Sequence, residues 1–186
     1  MTPATTASTT ATSTWNIDPA HSAAEFKVKH MMISNVKGKF SGISGVLNRF
    51  EADHTRSTLD VTIDVSTINT HDPQRDGHLK SAEFFDVEKF PTMAFKSAHI
   101  EKKGDGFAVT GDLTIHGVTR PVTLNVEEVS EPAKDPWGNT RIGLSATAKI
   151  NRKDFGLTWN AALETGGVMV GEEVHITLDV EFIKAA

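Results

Sequence analysis

The segment "HDPQRDGHLKS" gathers His71, Asp72, Asp76 and His78, imidazole and carboxylate groups of the kind that hold zinc, iron or nickel. If the segment is helical the two histidines stand about two turns apart, and Pro73 and Gly77 deny them a fixed geometry. The residue types fit a local reading better: Asp72 as an N-cap, Pro73 at the first helical position, and His78 as a polar group presented to a ligand or to a backbone carbonyl. His21, beside Ser22 and near Asp18, has the ingredients of a hydrolase. Adjacent side chains on a strand point to opposite faces, however, and no G-x-S-x-G elbow is present to raise a nucleophile. His116 falls in the turn signal "IHGVTRP", where an imidazole is ordinarily solvated or bonded locally. Arg152 and Asp154 in "NRKDF" carry the charges of a head-group site, but within a capped turn such a pair is ordinarily structural. The absence of cysteine and tyrosine removes disulfides, thiolate ligands, cysteine nucleophiles and a common acid/base. No catalytic residue, metal ligand or cofactor is assigned.

The elements that must position these groups are strands. Ala24, Phe26 and Val28 alternate with Glu25, Lys27 and Lys29, the last three forming a solvated outer face; Leu59, Val61, Ile63 and Val65 alternate with polar neighbours, as do Val174, Ile176, Leu178, Val180 and Phe182. Met93–Ile100, Phe107–Ile115, Val122–Glu128 and Ile142–Ile150 follow, separated by the turn signals "KKGDG", "HGVTRP" and "AKDPWGN". Between Gly38 and Phe50 the phase is mixed, and a bend at Gly42 or Gly45 reconciles it. The pattern therefore predicts an all-β fold of about eight antiparallel strands in a barrel or a sandwich, the barrel being the first choice, because a lone sheet would leave its edges and apolar face in water. Two short helical pieces are expected, Gln74–Leu79 after Asp72 and a turn capped by Asn151 and ended by Gly156.

A chain of 186 residues fits one domain, expected over residues 15–186, after a Thr/Ala/Ser-rich tract at residues 1–14 that reads as a disordered leader. That tract shows neither the basic nor the apolar region of a secretory signal. The net charge of -5 argues against nucleic acid as a partner, no run approaches the ~18 apolar residues of a membrane span, and homodimerisation is left open.

Four stretches, "WNIDPAHSAAEFKVKHM", "RDGHLKSAEFFDVEKFPTMAFKS", "GDLTIHGVTRPVTLNV" and "AKINRKDFGLTWN", resemble the YceI-like polyisoprenoid-binding family, in the family's order and across Trp15 to Lys184. The resemblance implies a lipocalin-like eight-stranded barrel around a long-chain amphiphile, a polyprenyl or related lipid. It also implies export to the periplasm or secretion, whereas a native leaderless chain would be cytoplasmic. The family offers no catalytic motif to carry over.

Such a lipid has almost nothing to hydrogen-bond, so affinity must come from buried apolar area, roughly 0.8 kcal/mol per methylene before ordering costs. The expected lining is Phe26, Val28, Phe40, Phe95, Leu113, Ile115, Leu144 and Ile176, with His78 near the lipid head. Phe84, Phe85 and Phe90, in a connection with no regular period, are expected to fold over one barrel end as an apolar lid; an external mini-core is the competing arrangement. Two other functions compete with lipid carriage: an enzyme working on the lipid through a cavity histidine, and a filled, dry barrel with an interaction role.

The strand phase has a direct test in neighbouring substitutions. Phe26→Asp puts a charge in an apolar interior and is expected to unfold or empty the barrel at a cost of several kcal/mol, on the order of that for any unpaired buried charge, while Lys27→Asp is tolerated. Equal thermal stability of the two variants would show the phase to be wrong.

Overall fold

The computed structural model describes residues 11–186, and the expected leader, as far as residue 10, lies outside them. The chain runs β1 (Thr12–Ile17), β2 (Ala23–His30), β3 (Ser34–Phe40), β4 (Ile43–Phe50), β5 (Thr58–Asp64), α1 (Pro73–Lys80), β6 (Thr92–Lys103), β7 (Gly106–Ile115), β8 (Val118–Val129), β9 (Ala133–Lys134), β10 (Thr140–Asn151) and β11 (Val170–Lys184). Strands β11, β1, β4, β5, β6, β7, β8 and β10 hydrogen-bond in that order, and β10 pairs back onto β11, so the ring closes with eight strands.

The closure depends on two broken strands. One edge of β11 pairs with β10 from Arg141–Ile183 to Asn151–Glu173. Its other edge is divided: β2 takes the stretch from Val170 to Asp179, and β1 takes Phe182 to Lys184. β1 and β2 thus occupy one strand position, interrupted by a 3-10 turn at Pro19–His21 that Asp18 caps by accepting from the Ala20 N–H. β3 and β4 share the next position and part between Phe40 and Ile43, around one of the two glycines expected to bend this segment. Beyond the break the β2–β3 hairpin extends past the ring, and among the described residues the backbone bonding on the far edge of β3 is an isolated bridge in which Lys39 and Asn69 each donate to the other's carbonyl.

The leader boundary needs correction. Thr12, Ser13 and Thr14 belong to β1, paired with Phe50, Arg49 and Asn48 of β4. Ser13 Oγ also accepts the indole N–H of Trp15 and bonds Glu51. Hydroxyl side chains on a strand with one buried face satisfied the pairing although they carry no hydrophobic alternation.

Both helical expectations are met. Asp72 accepts from the N–H groups of Gln74 and Arg75 at the start of α1, and Asn151 caps a 3-10 turn, Arg152–Phe155, that ends at Gly156 in the left-handed region with φ 75°. The β7–β8 hairpin turns on His116 and Gly117, both at positive φ, the conformation that two-residue hairpins favour because its twist matches the strands.

On the outside of the barrel one cation ties the strand break to the neighbouring elements. The Arg141 guanidinium donates to Asp18 Oδ2 at 2.6 Å and to Asp135 Oδ2 at 2.7 Å, and lies 3.4 Å from Glu181. His21 bonds the same Asp18 oxygen. Asp18, His21 and Glu181 are close enough to suggest a metal site, but the guanidinium is bonded to the carboxylate oxygen such an ion would need.

Arg141, and after it His21, hold the Asp18 carboxyl at about 2, below its ordinary 3.8, and Arg141 likewise depresses Asp135. Carboxylates with depressed values contribute stability that is present above their unfolded range and lost as pH falls through the folded one. Arg141→Ala is therefore expected to lower the melting temperature at neutral pH, with the gap to the unaltered protein narrowing between pH 3.8 and about 2. A gap independent of pH would show that the network adds no charge-linked stability. Deleting residues 1–14 should also cost a few degrees by removing β1 pairing, on a scale of roughly 2–4 °C per kcal/mol for a chain of this size; unchanged melting would contradict the placement of Thr12–Thr14.

Candidate functional site

The ring encloses an apolar cavity of about 540 Å³. Period-2 alternation on the strands aims one phase of each inward, and small residues on that phase leave the centre unfilled. Ala146 and Ala148 on β10 and Ala24 on β2 are buried inward positions that reach little way across. Gly38 on β3 stands opposite Phe26, whose ring lies where a Cβ on Gly38 would be.

Phe26, Val28, Phe40, Phe95, Leu113, Ile115, Leu144 and Ile176 all line this cavity. So do residues outside the expected lining, among them Ile17, Ile43, Leu47, Val61, Val109, Val126 and Phe182. Val61 and Phe182 already stand on the apolar phase of their strands, and alternation could have found Val109. Ile17 follows the hydroxyl-rich start of β1, and its inward phase became legible only from the pairing of β1 with β4 and β11.

The two barrel ends differ. Arg49, His54, Lys102, Asp105, Ser130 and Glu131 rim one of them, several exposed, which makes it a polar mouth. The other is covered by α1, the turns after it and the segment following β10. Phe84, buried, and Phe85 line the cavity there, beside Leu79 and Leu157. The turns are fixed by backbone bonds from Phe84 to Ser81, from Phe85 to Leu79 and from Val87 to Lys80. Phe85 meets Phe40 edge-on at 5.9 Å. Phe90 departs from the expected lid: it lies outside the cavity, with its ring against His116 at 4.7 Å and over Gly117, because the bonds at Asp86 turn the chain away.

His78 also departs from expectation. It does not line the cavity but stands behind Phe84, its ring edge-on to Phe84 at 5.0 Å and to Trp159 at 4.8 Å, with Nε2 paired to Glu83. Its position on α1 places it one layer out, where it helps hold Phe84. Trp159, which is not among the expected site residues, contributes the other side of this support.

Arg152 closes the same end. Its side chain is 4% exposed, and it donates to the carbonyls of Gly171 (2.7 Å), Leu157 (2.6 Å), Trp159 (2.9 Å) and Val170 (3.2 Å). The expected pairing with Asp154 is replaced by these carbonyls, since the turn directs Arg152 inward. One cation thereby binds the loop after β10 to the start of β11, and burial lowers its pKa from the ordinary guanidinium value.

The remaining chemistry-bearing groups are dispersed. Asp72 caps α1, Asp76 accepts from the N–H and hydroxyl of Thr70, and His71 is exposed. Ser22 Oγ accepts from Glu181 N–H while His21 turns to Asp18. Among the described residues, His54 is the histidine on the cavity lining; it bonds the Phe50 carbonyl and receives Arg49, with no carboxylate in reach.

Known proteins share this architecture. The chain is 38% identical over 175 residues to a UPF0312 protein of Staphylococcus aureus, covering 90% of this chain and 96% of that one. A crystal structure of the Campylobacter jejuni YceI protein is 34% identical, with TM-score 0.70 over 86% of this chain and 91% of that one. A domain from Saccharophagus degradans, described as a polyisoprenoid-binding domain implicated in plant cell wall breakdown, shares the fold at 17% identity, TM-score 0.63, over 92% and 98% of the two chains. The YceI-like domain pattern matches residues 15–182. The protein belongs to the YceI-like domain family.

Proposed function

We propose that the barrel holds the hydrocarbon chain of an isoprenoid-type lipid and carries or sequesters it away from water. The observation that carries this reading is the apolar cavity of about 540 Å³, within the range of roughly 300–1,000 Å³ common to small-molecule sites. Aliphatic and aromatic side chains from all around the ring face it, so a ligand without hydrogen-bonding groups loses nothing on entering. An apolar void of this size is a poor host for water, which needs several polar partners. The polar rim at Arg49, His54 and Lys102 suits a head group left near solvent. The fold shared with a domain described as polyisoprenoid-binding supports the same chemistry. Selection for chain length is loose in this reading, because each further isoprene unit adds only more of the same contact.

Phe84 and Phe85 close the far end of the cavity over the chain. Organic extraction and mass spectrometry of the purified protein are expected to yield a polyprenyl or similar lipid, and protein stripped of it to take up a fluorescent polyprenyl analogue. Protein that is lipid-free and also refuses the analogue would overturn the reading. Replacing Phe84 and Phe85 together by Ser should speed release of the analogue while the fold survives. Unchanged release with stability lowered by ~3 kcal/mol or more per ring would make them core residues and no lid.

A further inference from the structure

The tip of the β2–β3 hairpin presents Met31, Met32 and Ile33 to solvent, at 39%, 61% and 79% exposure. Scattered exposed hydrophobic residues need no explanation, but three in succession on one projecting turn form a patch. Their backbone makes the choice of residues harder to explain by folding. Met31 and Met32 both have positive φ, 51° and 61°, a conformation suited to glycine or asparagine and unfavourable for a bulky side chain. The turn carries large apolar groups where small or polar ones would form it more easily. Strain held at a projecting site is a pointer to function.

The strands behind the tip carry charge of one sign. From Phe26 to Phe50 the chain has no acidic residue, although it has 24 in all, and Lys27, Lys29, Lys37 and Lys39 lie on the outward phase of the hairpin. Lys27 and Lys37 stand directly opposite each other across the strands, an arrangement that like charges disfavour. Glu25 faces Lys39 in the same register, and among the described residues none of these four lysines has a carboxylate within salt-bridge distance. An apolar tip with a basic collar complements a surface that is anionic outside and hydrocarbon beneath.

We infer that the β2–β3 hairpin docks the protein on an anionic lipid bilayer, with Met31, Met32 and Ile33 entering the interface and the lysines on the head groups. The Met31 N–H bonds the Met169 carbonyl and His30 pairs with Val170, at the start of β11 that Arg152 holds, so docking brings the lidded end of the barrel to the bilayer. Docking through the hairpin is independent of what the cavity contains.

Flotation of the full chain with vesicles of phosphatidylcholine and phosphatidylglycerol, against phosphatidylcholine alone, tests this. The unaltered protein is expected to float with the anionic vesicles and to be released by high salt. Met32→Ser with Ile33→Ser should abolish flotation with the melting temperature preserved, since both side chains are exposed. Lys29→Glu with Lys37→Glu should weaken it by about tenfold or more, a lysine near an anionic surface being worth ~1 kcal/mol. Failure of the unaltered protein to float, equal flotation with neutral vesicles, or tip variants that float as well as the original would each overturn the inference. Sedimentation distinguishes the other occupant: an oligomer that the tip variants dissociate, without vesicle recruitment, would assign the tip to a second copy of the chain.

Discussion

Strand β11 has two edges and three principal partners, and the geometry of the molecule follows from that count. Pairing with β10 uses one edge fully; β1 and β2 must divide the other, end to end. Backbone N–H and C=O groups left unpaired inside a protein are costly, so the division is sustained only if the turn between β1 and β2 satisfies its own groups. Asp18 does this by capping that turn, and Arg141 then fixes Asp18 from β10. The same interruption allows the β2–β3 hairpin to leave the ring. Where it leaves, β3 has no strand on its far edge among the described residues, and the opening is covered by α1, the phenylalanine turns and the loop held by Arg152.

Closure removes the edges of the eight ring strands but does not determine what fills the interior. Large inward residues pack the region near β1, where Trp15, Ile142 and Phe182 are almost completely buried. Ala146 on β10 and Ala24 on β2 are small residues on the cavity lining, so the opposite walls do not meet there, whereas the place beside Gly38 on β3 is taken by the Phe26 ring. Side chains of this size cannot reach across an eight-stranded barrel, which at this strand number either fills or holds one small ligand. Phe84 and Phe85 act at the end of that space, and the His78 and Trp159 rings behind Phe84 hold the cover in place. The function proposed for the cavity therefore depends on small residues as much as on the aromatic ones.

The alternation at Ala24–Val28, Leu59–Ile63 and Val174–Phe182 was readable because one face of each strand is wet, and the caps at Asp72 and Asn151 were readable because their chemistry is local. β1 was not, since Thr12, Ser13 and Thr14 take their place through pairing with β4, which composition does not encode. The lid divided for a similar reason: four phenylalanines in "HLKSAEFFDVEKFPTMAFKS" signalled burial, but the backbone bonds at Ser81 and Asp86 decided that Phe84 and Phe85 face the cavity while Phe90 packs on the His116 turn. Arg152 looked like half of an ion pair because Asp154 is near in sequence. Its real partners are carbonyls up to nineteen residues away, brought close by the return of β11.

The central claim is that the inner phase of the strands, and not the outer surface, receives an apolar chain. Methyl-labelled protein studied by NMR with a polyprenol reads this directly. Intermolecular contacts are expected between the lipid and the methyl groups of Leu113, Ile115, Leu144 and Ile176, which line the cavity, and none to Val46 or Ile183 on the opposite phase. Contacts confined to Val46, Ile183 or other outer methyls, with the cavity methyls silent, would contradict it.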